Sequence, residues 1–275
     1  MTAFAQSKSE ALPLPDSLAV KLKEHRKTDV ARAEALDEVI TYYVEEQRAL
    51  EAQPYIKDLS ELSEELKDNY WKALSLYYKS LCAYVSYNFS EFLSLINESL
   101  EITETLRETK RTQLLLTRIC LIKSSYYMWI NQFPECQNYI ERGLEIAENN
   151  GFDNLQCKLQ NNLGALLNSL GKDEDAIAKF KELLKNEELN LVVLNSLAMS
   201  FRKLKQYDSA LFFLDSIIQY APRAHENELL LRCILINTYL NKSTCYLELE
   251  QWDDAIQYLN KSYELFAETD DKTII

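Results

Sequence analysis

Between Leu163 and Pro222 one pattern of residues is written twice, and it constrains the fold more than any other feature of the chain. Leu163, Gly164, Leu167, Ala176, Phe180 and Leu183 are matched by Leu197, Ala198, Phe201, Ala210, Leu214 and Ile217, every pair 34 residues apart. That spacing is the period of a helix–turn–helix repeat unit. A small residue belongs where two antiparallel helices cross closely, and Gly164/Ala198 and Ala176/Ala210 take those places. Large apolar residues one helical turn to either side fill the space around each crossing.

Looser copies flank this pair. Trp252-x-x-Ala255 with Leu259 repeats the second-helix text Tyr207-x-x-Ala210 with Leu214; upstream, Phe133-x-x-Cys136 with Ile140 and Phe89-x-x-Phe92 with Ile96 do the same. From Phe92 through Cys136, Ala176 and Ala210 to Ala255 the steps are 44, 40, 34 and 45 residues. One step has the ideal length, so the others require longer helices or loops, and the array is irregular. The small residues at the eighth and twentieth places of each unit, with Pro222 near place 32, resemble the tetratricopeptide repeat. The resemblance covers about residues 73–269 and is sharpest over 157–224. It implies an all-α, right-handed superhelical solenoid of antiparallel helix hairpins, about five to six of them.

Composition agrees with helices. Four glycines and five prolines in 275 residues are too few for strands joined by tight turns. A net charge of −13 argues against a nucleic-acid backbone or an anionic membrane surface as partner. Six scattered cysteines form no C-x-x-C pair, and Cys136 stands where other copies carry alanine, as a small core residue would. With only His25 and His225 to join them, a zinc site is not expected. No apolar run is long enough to span a bilayer; Leu229–Ile236 is short and interrupted by Arg232.

Read in order, residues 1–15 are a flexible leader broken by Pro13 and Pro15, and 16–72 are N-terminal helices forming a divergent first hairpin. Residues 73–269 are the repeat array and 270–275 a polar tail. Asp16-Ser17 and Thr28-Asp29 read as helix caps, and Asn149-Asn150-Gly151 as a helix C-terminus. The tyrosines between Tyr70 and Tyr87 read as inter-helix packing, with Tyr77 and Tyr84 kept as groove candidates. No polar capping helix follows Phe266, so more protein is expected downstream. Ala3-Phe4-Ala5 resembles the end of a secretory signal peptide, although the basic and apolar regions that should precede it are absent. Asp16–Leu36 resembles the opening of extracytoplasmic repeat regions in bacterial membrane-anchored sensors. Together these two features set a periplasmic location as the expectation and a cytoplasmic one as its alternative.

No catalytic motif is present: no G-x-S-x-G, no phosphate-cradling glycine loop, no H-E-x-x-H. The chain reads as non-enzymatic and free of cofactors, and what remains is a groove. In the tetratricopeptide family the first helices line the concave face. The resemblance carries that face onto Arg118, Ser125 and Met128, then Lys158, Asn161, Asn162 and Ala165. It continues onto Asn195, Met199, Arg202 and Lys203, then Asn237, Asn241 and Thr244. Asn161 and Asn195 stand one period apart, and an amide that both donates and accepts suits the backbone of an extended peptide. Arg118, Lys158, Arg202 and Lys203 would make the face locally basic, which favours an acidic or carboxyl-terminated ligand. Asparagine also stands where chaperone-binding members carry a clamp lysine, which argues against chaperone tails. The expected function is a protein- or peptide-binding module of a bacterial signal-transduction protein, with a freestanding cytoplasmic adaptor or scaffold as the alternative.

Overall fold

A computed structural model describes residues 14–25, 28–186, 190–223 and 228–267. Ala3-Phe4-Ala5 and the 270–275 tail lie outside them. The described residues contain thirteen α-helices and no strand. They divide into two compact units, one ending at Ser99 and the other running from Leu100 to Ala267.

In the first unit α1 (Asp16–Glu24) precedes α2 (Val30–Glu45), followed by a short 3-10 turn (Ala49–Ala52), α3 (Gln53–Leu66) and α4 (Asn69–Val85). The unit boundary falls within α5 (Phe89–Thr105). Local chemistry sets the starts. Asp29 Oδ1 accepts from Arg32 N at 2.9 Å, and Asp68 Oδ1 accepts from Tyr70 N at 2.8 Å, each satisfying an orphan first-turn donor. The cap expected from Asp16-Ser17 does not form: Pro15 occupies the N-cap without a side-chain bond, and Asp16 lies inside the first turn. Ala33, Leu36, Val39, Ile40 and Tyr43 form the buried stripe of α2. Tyr77 is buried and Tyr84 packs on Phe89 and Phe92, so both serve packing.

The second unit continues with α6 (Lys110–Trp129), α7 (Phe133–Asn150), α8 (Asp153–Ser169) and α9 (Asp173–Asn186). It closes with α10 (Leu191–Lys203), α11 (Tyr207–Tyr220), α12 (Glu228–Glu248) and α13 (Trp252–Ala267). Thr109 and Thr112 make a reciprocal capping box for α6, and Asn190 Oδ1 accepts from Val192 N and Val193 N to start α10. Each first helix pairs with the second helix that follows it: α6 with α7, α8 with α9, α10 with α11, α12 with α13.

The turns inside the hairpins are copies of one another. Tyr87, Asn131, Gly171, Lys205 and Glu250 all have positive φ, between 57° and 74°. In each case the next residue's amide donates at 2.9 Å to the carbonyl five residues back: Asn88 to Ala83, Gln132 to Tyr127, Lys172 to Leu167, Gln206 to Phe201, Gln251 to Tyr246. This is a Schellman closure. It places Phe92, Cys136, Ala176, Ala210 and Ala255 at one structural position, and all five are buried. The steps of 44, 40, 34 and 45 residues read from the sequence are therefore steps between equivalent sites.

Crossings are tight where the small residues stand. A Cβ added at Gly164 would lie 2.4 Å from the Phe180 ring. Two buried lysines complete the packing. Lys123 lies 4.7 Å over the Tyr139 ring and 5.9 Å over that of Tyr127; Lys242 lies 4.4 Å over Tyr258 and 5.9 Å over Tyr246. In both clusters the two tyrosine rings are stacked. The second cluster repeats the first 119 residues later. Lys242 also pairs with Asp215 of the preceding hairpin; desolvation opposes its charge, but Asp215 and the Tyr258 hydroxyl together outweigh it, so its pKa is raised. Burial lowers that of Lys123.

Candidate functional site

The first helices of residues 100–267 lie side by side, α6 against α8, α8 against α10, and α10 against α12. All fourteen groove residues expected from the sequence fall on these four helices: Arg118, Ser125 and Met128 on α6, Lys158, Asn161, Asn162 and Ala165 on α8, Asn195, Met199, Arg202 and Lys203 on α10, and Asn237, Asn241 and Thr244 on α12. Cross-helix hydrogen bonds tie several of them together.

Asn162 Nδ2 on α8 donates to Ser124 Oγ at 3.0 Å and Ser125 Oγ at 3.1 Å on α6. Asn241 Nδ2 on α12 donates to Asn195 Oδ1 on α10 at 2.9 Å. Arg202 on α10 pairs with Glu248 on α12 at 2.6 Å, so its charge is already engaged by a carboxylate. Between α8 and α10, Asn168 Nδ2 donates to Ser200 Oγ at 2.8 Å, and Lys203 Nζ donates to the Asn168 carbonyl at 2.7 Å. Lys158 and Asn237 stand exposed, while Arg118 and Met199 are half-buried.

Asn161 differs from its counterpart Asn195. Its Oδ1 is shut off from solvent and has no hydrogen-bond partner, as is also true of Asn168 Oδ1 and Arg202 Nε. An unpartnered buried amide oxygen costs about 1–3 kcal/mol. The arrangement thus presents a strip of amides and hydroxyls, several of them bonded across adjacent helices. Asn168, Ser200 and Glu248 were not singled out from the sequence. Glu248 lies 46 residues from Arg202, a step no repeat period marks.

Among the described residues no group of three or more His, Cys, Asp or Glu side chains could hold a metal ion. Burial pushes the Cys120 thiol up to about 12 and those of Cys136 and Cys245 up to about 11, away from thiolate reactivity. No described helix is long and apolar enough to cross a membrane.

Stacked helix pairs with a small residue at each crossing and an identical turn within each pair define a helical-hairpin repeat scaffold. Residues 196–224 and 236–269 each match a tetratricopeptide-repeat family model. The tetratricopeptide repeat is thus matched over these two stretches of the second unit. The chain is similar to the regulatory protein RapG of Bacillus subtilis (strain 168), 24% identical over 102 residues. That match takes in 37% of this chain and 28% of the relative's length. Among solved structures, NprR in complex with its cognate peptide NprX aligns with a TM-score of 0.69 at 14% identity, over 94% of this chain and 73% of that one. A Rap protein complexed with competence and sporulation factor aligns with a TM-score of 0.60 at 15% identity, over 92% and 77%. BtubC from P. vanneervenii aligns with a TM-score of 0.59 at 18% identity, over 81% and 91%.

Proposed function

We propose that residues 100–267 are a non-catalytic, peptide-binding repeat domain of a bacterial regulatory protein, its ligand extended along the face formed by α6, α8, α10 and α12. The observation that carries this reading is the strip of amides and hydroxyls bonded between adjacent first helices, Asn162 to Ser124 and Ser125, and Asn241 to Asn195. A side-chain amide both donates and accepts, as a peptide backbone does, and Asn161 and Asn195 offer two of them one repeat apart. The fold shared with NprR, solved with its peptide NprX, supports an extended peptide as the class of ligand. Lys158 is exposed on this face and favours an acidic residue in that peptide, whereas Arg202 contributes no free charge because Glu248 holds it. A sensing role in signal transduction follows from the same reading, and the similarity to the regulatory protein RapG is in keeping with it.

The test is selection of heptapeptides from a displayed library against the intact chain, followed by titration of the best peptide. Asn161→Ala combined with Asn195→Ala should weaken that peptide about tenfold or more, two lost hydrogen bonds at roughly 1 kcal/mol each, with helicity unchanged. Equal affinity in the double variant, or no peptide selected at all, would overturn the assignment.

A further inference from the structure

We propose a second ligand site, in the first unit, for a carboxylate attached to a short apolar body. It is independent of the peptide reading, since every residue involved precedes Leu100. A cleft of about 410 Å³ lies between α3, α4 and the start of α5, within the size range of small-molecule sites. Ile56, Ala83 and Leu95 give it an apolar lining, with Ile56 and Ala83 buried.

The charges around the cleft are unevenly used. Glu61 is engaged by Lys57 at 3.8 Å, and Glu91 accepts from the Asn88 amide at 2.6 Å. Lys79, half-buried in the wall, donates instead to the neutral Ser60 hydroxyl at 2.6 Å, and among the described residues no carboxylate pairs with it. A cation held in a partly apolar cleft by a neutral acceptor gains by exchanging it for an anionic one, because charge-assisted hydrogen bonds are about twice as strong as neutral ones. The Ser60 hydroxyl released by that exchange can itself donate to the incoming carboxylate. A ligand with an aliphatic portion then covers Ile56, Ala83 and Leu95 while its carboxylate meets Lys79. The terminal residue of a peptide and a free branched acid share this chemistry.

Titration of the intact chain with isovalerate, and with Gly-Gly-Gly-Leu bearing either a free or an amidated C-terminus, separates these sources. We expect the acid-bearing probes to bind and the amide to fail. Isovalerate alone binding assigns a free acid; the free-terminus peptide alone binding assigns a chain terminus. Lys79→Gln should weaken the bound probe at least tenfold, Lys79→Arg should retain it, and the exposed Lys67→Gln should leave it unchanged, all three with the wild-type helical signal. Equal binding of the amide, unchanged affinity in Lys79→Gln, or no probe binding at millimolar concentration would overturn the proposal.

Discussion

At the scale of single residues, the crossing of α8 and α9 turns on Gly164. A glycine in a helix interior costs about 1 kcal/mol relative to alanine, so propensity alone favours Gly164→Ala. The added Cβ would meet the fully buried Phe180 ring at 2.4 Å, and overpacking of that kind costs about 1–3 kcal/mol. The second effect should win: Gly164→Ala is expected to lower the urea midpoint by the equivalent of about 1–2 kcal/mol, and Phe180→Leu in the same chain should restore part of it. A more stable alanine variant would show that the Phe180 ring yields readily to the added methyl group. Gly164 was legible from its 34-residue match to Ala198, because close approach leaves a mark on residue size. The bonding of the groove asparagines was not. Asn161 and Asn195 read alike in the sequence, yet one amide oxygen is unpartnered and the other accepts from Asn241, because their environments depend on which neighbouring helix follows.

At the scale of elements, one position in the second helices separates interior from end. Leu214 on α11 is 1% exposed, whereas its counterpart Leu259 on α13 is 49% exposed. On α13 the apolar residues Trp252, Ile256, Leu259 and Tyr263 share a face at helical spacing and are all more exposed than buried core. Leu214→Ala should therefore cost about 2–5 kcal/mol, and Leu259→Ala within about 1 kcal/mol, measured by urea unfolding of each variant. Equal losses would mean that the face of α13 is covered. The existence and order of the helices were legible because apolar periodicity and the small crossing residues recur. The common turn was hidden: only Gly171 of its five left-handed positions is glycine, the others being Tyr87, Asn131, Lys205 and Glu250, so residue type did not announce it. Hydrogen bonding across the turn imposes that conformation on side chains that would otherwise avoid it. The paired Lys–Tyr–Tyr clusters escaped for a different reason: a lysine in the text reads as solvent-facing until stacked rings are seen to enclose it.

At the scale of the whole molecule, protonated thiols and phenols distributed through both units tie folding to alkaline pH. Burial raises the Cys82, Cys136 and Cys245 thiols to about 11, the Cys120 thiol to about 12 and the Tyr139 phenol to about 12. For each group the folded value lies above the unfolded one, 9.0 for a thiol and 10.0 for a phenol, so the folded chain holds more protons in between. The contribution is fully present below the unfolded value and is lost as pH climbs through the folded one. Lys123, whose pKa is lowered, acts in the opposite direction, because its burial penalty is relieved as it deprotonates. Lys242, raised by Asp215, sides with the thiols, its ion pair being lost as it deprotonates. With the thiols, Tyr139 and Lys242 against Lys123, the net slope is negative. The urea midpoint should hold steady up to about pH 9 and then fall continuously towards pH 11. Cys120→Ala removes one of the most strongly shifted groups and should flatten the fall, whereas a midpoint that stays level or rises through pH 10.5 would mean that these thiols are open to water in the folded chain.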